Sequence, residues 1–380
     1  MRESPSVRDP RLSAAICIAR VLGIAGIVYV HGWTGLAWAD LTAIDGSPQG
    51  IFRWTLMEFL GRSAVPLLSI ISGWLVAGSA LKRSYAAFLT GKARALLLPM
   101  ILWNAIAIVL VSGAAHIGWI NGPHVRSTWW VIDELFCLAT PNDINVQMAF
   151  LRDLFVCMVF APLLVRLPNW ALAGVMAWMA FWTISWLQSP MLLRPMIALF
   201  FVGGVLAQRI GFERRALAFS WAAVLAPLIV MIPLKIWLTT QGDHVGDAHP
   251  HLMVVLDIAA RAAASLLLWK LAWALAGQAL AGHAGAARLL RAERYAFLMF
   301  SSHLVLIWTF GPAIGSVTGP AGSPLYPAYL VLQPLLAFGG AVLIGQGLIR
   351  FWPAAAEVLS GGRLKRPAHA APSAMRLSSV

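Results

Sequence analysis

Arg20 and His31 lie eleven positions apart in the first apolar stretch of the chain, ARVLGIAGIVYVHGW. Eleven steps of an α-helix return to nearly the same face, about 16 Å further along the axis. A histidine is suited to take a proton from a hydroxyl near neutral pH, and an arginine holds a phosphate through two parallel hydrogen bonds. One helix face then carries an anion grip at one level and a base at another. The competing reading is a histidine that only packs between helices. Further ionisable residues sit in apolar stretches: Glu58, Arg62, Arg152, Asp153, Arg194, Lys235, Asp257, Arg261, Lys270 and His303. Such groups are costly in a bilayer and mark polar cavities or pathways. Glu58–Arg62 and Asp257–Arg261 are i,i+4 pairs that neutralise each other on one face, so for them charge-paired packing competes with a functional role. Arg194, Lys235 and Lys270 lie close enough to the ends of their stretches to snorkel.

The elements that must position these residues are membrane helices. The chain has 380 residues, 60% hydrophobic and only 11% charged, far from the roughly 25% charged residues of a soluble domain. The apolar runs are long and continuous, which excludes a membrane β-barrel. The expected fold is an all-α polytopic membrane protein of about ten spans, near 14–38, 56–80, 94–115, 147–167, 169–187, 191–209, 216–238, 252–281, 295–318 and 326–352. Residues 1–13 form an N-terminal tail, 14–352 the transmembrane domain, and 353–380 a disordered basic tail. With a cytoplasmic N-terminus, eighteen lysines and arginines from Arg2 to Arg376 fall in inside segments, and only Arg53 and Arg126 outside. That asymmetry places both termini in the cytoplasm and accounts for the net charge of +13 without nucleic acid. Cys17, Cys137 and Cys157 allow at most one disulfide. No internal repeat is evident, which weakens a reading as a secondary transporter.

Several segments together resemble the membrane-bound acyltransferase-3 family: the Arg-x10-His helix at Arg20 and His31, FLGRSAVPLLSIISGWLVAGS with Arg62, Pro66, Ser72 and Gly73 in register, YAAFLTGKARALLLPMILWN, AFLRDLFVCMVFAPLL, and RYAFLMFSSHLVLI with His303. The chain departs from the family pattern at Ala149, at Lys92 and Arg94 in the basic connection, and at Phe297 and Phe300, where tyrosines are common. The resemblance implies transfer of an acyl group, acetyl or succinyl, from cytoplasmic acyl-CoA to a hydroxyl of an extracytoplasmic or lipid-linked glycan, in the bacterial inner membrane. Acyl-CoA is then a co-substrate, and no tightly bound cofactor or metal is expected. His31 is the expected base, with Glu58 or Asp257 to orient it. The donor phosphates lie near Arg20, Lys92 or Arg94. Arg62 and Arg152 support the polar centre, and His303 is a further substrate contact. The alternative is a transporter or flippase for a glycan or small anion; a third is a sensor without turnover.

Ser72 beside Gly73 is conceivable as a nucleophile, although Ser-Gly pairs more often mark close helix packing. The stretch GDHVGDAHPH gathers Asp243, His244, Asp247, His249 and His251, types a metal could use. No helix fixes their geometry, so a solvated loop is the preferred reading.

Overall fold

The computed structural model describes residues 9–187, 189–240 and 249–364. The described residues are helical and loop, with no strand. The principal helices are α1 (Pro10–Val30), α2 (Pro48–Ala77), α3 (Tyr85–His116), α4 (Thr128–Phe136), α5 (Met148–Leu164), α6 (Asn169–Ile184), α7 (Pro195–Ile210), α8 (Trp221–Thr240), α9 (Pro250–Leu280), α10 (Ala284–Thr318), α11 (Tyr326–Phe351) and α12 (Pro353–Leu359).

A helix lies at each of the ten expected spans, but only seven are long and apolar enough to cross a membrane, or eight if the pair Pro195–Ile210 and Phe212–Ala218, bent by 88°, is one span. The difference is one of length. Helices α5, α6 and α7 have 17, 16 and 16 residues, which at about 1.5 Å per residue reach roughly 25 Å against a hydrocarbon core of about 30 Å. The bend after α7 falls at Gly211, where φ is +65°, a conformation glycine takes without a Cβ clash.

Helix α1 runs through the middle of the bundle, against α2, α9, α10 and α11. Asp9 caps its start, accepting from the backbone N–H groups of Arg11 and Leu12, and Pro10 occupies the first turn. The helix stops at Val30, not near residue 38, and His31 is its C-cap. Bilayer lipid gives little hydrophobic drive for helices to associate, so close approach rests on small residues. A Cβ on Gly26 would meet the Leu60 carbonyl oxygen at 2.4 Å, and one on Gly61 would meet Val30 at 2.5 Å. The α2–α7 crossing is equally tight: a Cβ on Gly73 would lie 1.9 Å from the Phe201 carbonyl oxygen, and one on Gly204 2.1 Å from that of Ile70.

Within α2 the turn Met57–Gly61 widens to a π-helix. Glu58, carried on that turn, accepts from Arg62 Nη1 at 2.5 Å and pairs with Lys235. Lys235 also pairs with Asp257, which accepts from Arg261 Nη2 at 2.9 Å. This chain of five charges ties α2, α8 and α9 together. It corrects the snorkelling reading of Lys235, which is only 2% exposed. Lys270 is also buried, and its ammonium donates to the carbonyls of Leu217 and Phe219 at 3.1 and 2.6 Å. Finally, the fold does not stop at residue 352. Helix α12 packs on α3, with Trp103 Nε1 donating to the Leu359 carbonyl at 3.1 Å, and Leu364 is buried. The remainder of the expected tail lies outside the described residues.

Candidate active site

Helix α1 presents its face to two cavities. Arg20 and Ile24 line a smaller one of about 170 Å³; Ile27, Val30 and His31 line a larger one of about 620 Å³. The shared face read from the spacing of Arg20 and His31 therefore exists, with His31 held at the helix cap rather than inside the helix.

Capping leaves His31 dependent on the turn that follows. Gln333 of α11, buried, accepts from the Trp33 N–H at 2.8 Å and donates from Nε2 to the Trp33 carbonyl at 3.2 Å. The Trp33 ring lies on α10, where a Cβ on Gly315 would come within 2.0 Å of it. These contacts fix the backbone directly after His31.

The His31 ring faces that of His303, centroid to centroid at 5.6 Å. His303 is fully buried, and its Nδ1 lies 2.8 and 3.2 Å from the carbonyl oxygens of Phe300 and Met299. A carbonyl only accepts, so Nδ1 carries the proton and Nε2 is a bare acceptor. That Nε2 has no partner, and neither do Gln147 Oε1 and Arg261 Nε, both on residues lining the larger cavity. Buried polar groups are nearly always satisfied in native proteins. On the wall of this chamber Gln147 leaves an acceptor unpaired and Arg261 a donor, a combination that suits a ligand with hydroxyl groups. Three guanidinium side chains, those of Arg62, Arg194 and Arg261, complete its wall.

The smaller cavity is cationic. Arg20, Lys92 and Arg363 face it, against the single carboxylate of Glu293, which accepts from Arg20 Nη1 at 3.1 Å. Arg363 comes from the chain after α12 and lies over the Phe297 ring at 4.2 Å. Burial, with the charge of Arg20 beside it, lowers its pKa to about 10, so it keeps its charge at neutral pH. The Ser72 hydroxyl on the same wall donates to the Leu68 carbonyl at 2.7 Å. With Gly73 at the tight α2–α7 crossing, the packing reading of this pair is the one the fold supports.

Several expected site residues are placed elsewhere. Glu58 and Asp257 make no hydrogen bond or ion pair to His31; their oxygens belong to Arg62, Lys235 and Arg261. Their connection to the chamber runs through the arginines they hold. Arg152 lines neither cavity. It donates to Asp153 at 2.7 Å, to the Met191 carbonyl at 2.8 Å and to that of Pro190, while Asp153 accepts from the Leu193 and Arg194 N–H groups. That staple sets the start of α7, from which Arg194, Pro195 and Met196 reach the larger cavity. Arg194 is thus a chamber residue, not a snorkelling one. Arg94 is exposed, and only Lys92 of that basic pair meets the smaller cavity.

Sequence reasoning missed Glu293, Arg363, Gln147 and Gln333. Glu293 carried a signal, being the one acidic residue in the basic stretch RLLRAERY. The others gave none, since each reaches the site from a distant segment. Among the described residues no group of three or more His, Cys, Asp or Glu side chains is arranged to hold a metal. Of the acidic and histidine-rich loop, Asp243, His244 and Asp247 lie outside the described residues, and His251 Nδ1 meets the Ile184 carbonyl at 2.6 Å.

A family profile for the acyltransferase-3 group, described as an acyltransferase domain, matches residues 14–346. The chain is similar to the succinoglycan biosynthesis protein ExoH of Rhizobium meliloti (strain 1021), with 28% identity over 373 residues that take in 93% of this chain and 94% of that protein. No solved structure matches it.

Proposed function

The chain belongs to the acyltransferase-3 family and is a multi-pass membrane acyltransferase; from that premise we propose that it moves an acetyl or succinyl group from cytoplasmic acyl-CoA to a hydroxyl of an extracytoplasmic or lipid-linked glycan, in the bacterial cytoplasmic membrane. One observation carries the reading: a single face of α1 meets a cationic cavity at Arg20 and a hydroxyl-suited chamber at His31. The donor phosphates bind at Arg20, Lys92 and Arg363, where charge-assisted hydrogen bonds are strongest. The acceptor glycan enters the larger chamber, whose wall carries Gln147 and Arg261. A glycan acceptor also agrees with the printed name of the similar protein, a succinoglycan biosynthesis protein.

In the reaction His31 takes the proton of the acceptor hydroxyl as its oxygen attacks the thioester carbonyl. The new C–O ester bond forms, the C–S bond breaks, and the proton passes to the departing thiolate to give coenzyme A. His303 positions His31 through the packing of its ring, 5.6 Å from that of His31. The charge that develops on the carbonyl oxygen falls among Arg62, Arg194 and Arg261, fixed donors of the kind that stabilise an oxyanion.

Sealed inside-out vesicles carrying the protein, supplied with acyl-labelled acyl-CoA in the bath and a glycan acceptor in the lumen, test the sidedness. Labelled ester on the lumenal glycan is the expected result. Label appearing only when donor and acceptor share the lumen would refute a cytoplasmic donor.

A further inference from the structure

Among the described residues, two side chains belong to the walls of both cavities: Phe150 of α5 and Phe300 of α10. Their rings meet edge to face, centroids 5.8 Å apart at 66°, and the residues are 4% and 2% exposed. An edge-to-face pair at this distance is in full contact, so the rings form the partition between the cationic cavity and the His31 chamber. Charge lies on either side of it and none at it. Arg20, Lys92 and Arg363 stand on one side, Arg62, Arg194 and Arg261 on the other, and the cationic cavity approaches the rings past Ile24, Leu68 and Leu154. Phe300 is also tied to the neighbour of His31, because its carbonyl accepts from His303 Nδ1.

Given the acyl-CoA reading, on which this inference rests, the thioester must pass between these rings to reach a hydroxyl at His31. We infer that the Phe150–Phe300 pair is the size filter for the transferred acyl group, so that its two rings, rather than the base or the phosphate grip, set which acyl chains this enzyme moves. A short acyl group needs only a small rotation of one ring. Each added methylene must be fitted into a closed apolar throat, where one methylene changes selectivity by roughly 10-fold or more. The bond changes are those already given, with coenzyme A released as the thiol; the filter acts before them.

The full chain in lipid nanodiscs is assayed for acyl ester on a glycan acceptor by mass spectrometry, with acetyl-, succinyl-, butyryl- and octanoyl-CoA as donors. Wild type is expected to prefer acetyl-CoA, with rates falling as the chain lengthens. In Phe300→Ala and Phe150→Ala the butyryl-to-acetyl rate ratio rises by roughly tenfold or more. Phe338→Ala, which removes a ring that lines neither cavity, leaves the ratio unchanged. If an alanine variant fails to fold by size-exclusion chromatography, Phe300→Leu and Phe150→Leu give the same rise to a smaller extent. An active wild type whose ratio is the same in every folded Phe150 and Phe300 variant would overturn the filter and leave the donor reading standing. A wild type inactive with all four donors would overturn the donor reading, and the filter with it.

Discussion

At the scale of single residues, the base we propose is a histidine held by its neighbours. His31 caps α1 instead of sitting within it, so its direction depends on Gln333 and Trp33 behind it and His303 beside it. His303→Phe keeps the ring volume and removes the acceptor. We expect kcat to fall by about tenfold or more, within the range of acid–base contributions, with the KM for acyl-CoA unchanged and the pH–kcat profile displaced. A kcat loss with the pH profile in its original place would mark His303 as packing only. Arg363 is tested through the donor. Losing one charge-assisted contact of about 1.5–3 kcal/mol in Arg363→Ala weakens coenzyme A binding roughly tenfold or more. Because burial has brought its pKa down to about 10, the contact is present below that pH and is lost as pH rises through it. Wild-type Kd for coenzyme A therefore climbs towards pH 10 by calorimetry, and the Arg363→Ala curve lacks that component. Coincident curves would contradict the assignment. The pairing of Arg20 with His31 was legible in the sequence, because spacing reports a shared face. The identity of their partners was not: His303, Glu293 and Arg363 arrive from α10 and beyond α12, and spacing along one helix carries no information about what faces it.

At the scale of elements, the Glu58–Lys235–Asp257–Arg261 chain shows the same boundary. The i,i+4 pairs were readable within α2 and within α9, but Lys235, which joins them from α8, resembled a lysine reaching for the interface. Buried ions are tolerated only when compensated, and removing one partner costs about 3–5 kcal/mol. Lys235→Met leaves one oxygen of Glu58 and one of Asp257 without its ion-pair partner and removes the link between them. We expect a destabilisation of that order in detergent-based thermal unfolding. An unchanged melting temperature for the variant would show that the network does not hold α8 to the bundle. The helices themselves were well placed by hydropathy, one at each expected span. Their lengths were not. Hydropathy runs do not see where loops such as residues 190–193, pinned by Arg152 and Asp153, cut α6 and α7 short.

At the scale of the whole molecule, one face of α1 meets two cavities, and the charge bias of the loops predicts which of them faces the cytoplasm. With both termini cytoplasmic, a green fluorescent protein fused after Val380 fluoresces and an alkaline phosphatase fused there is inactive; the opposite pair of results would invert the orientation and place the cationic cavity on the wrong side for acyl-CoA. The central claim is that His31 serves a transfer fed by acyl-CoA. Its most direct test is the release of coenzyme A thiol by purified protein given acetyl- or succinyl-CoA and a glycan-lipid extract, with His31→Ala run in parallel. We expect acceptor-dependent release by wild type and a loss of about 10²-fold or more in folded His31→Ala. Release that survives the substitution undiminished would contradict the role given to His31.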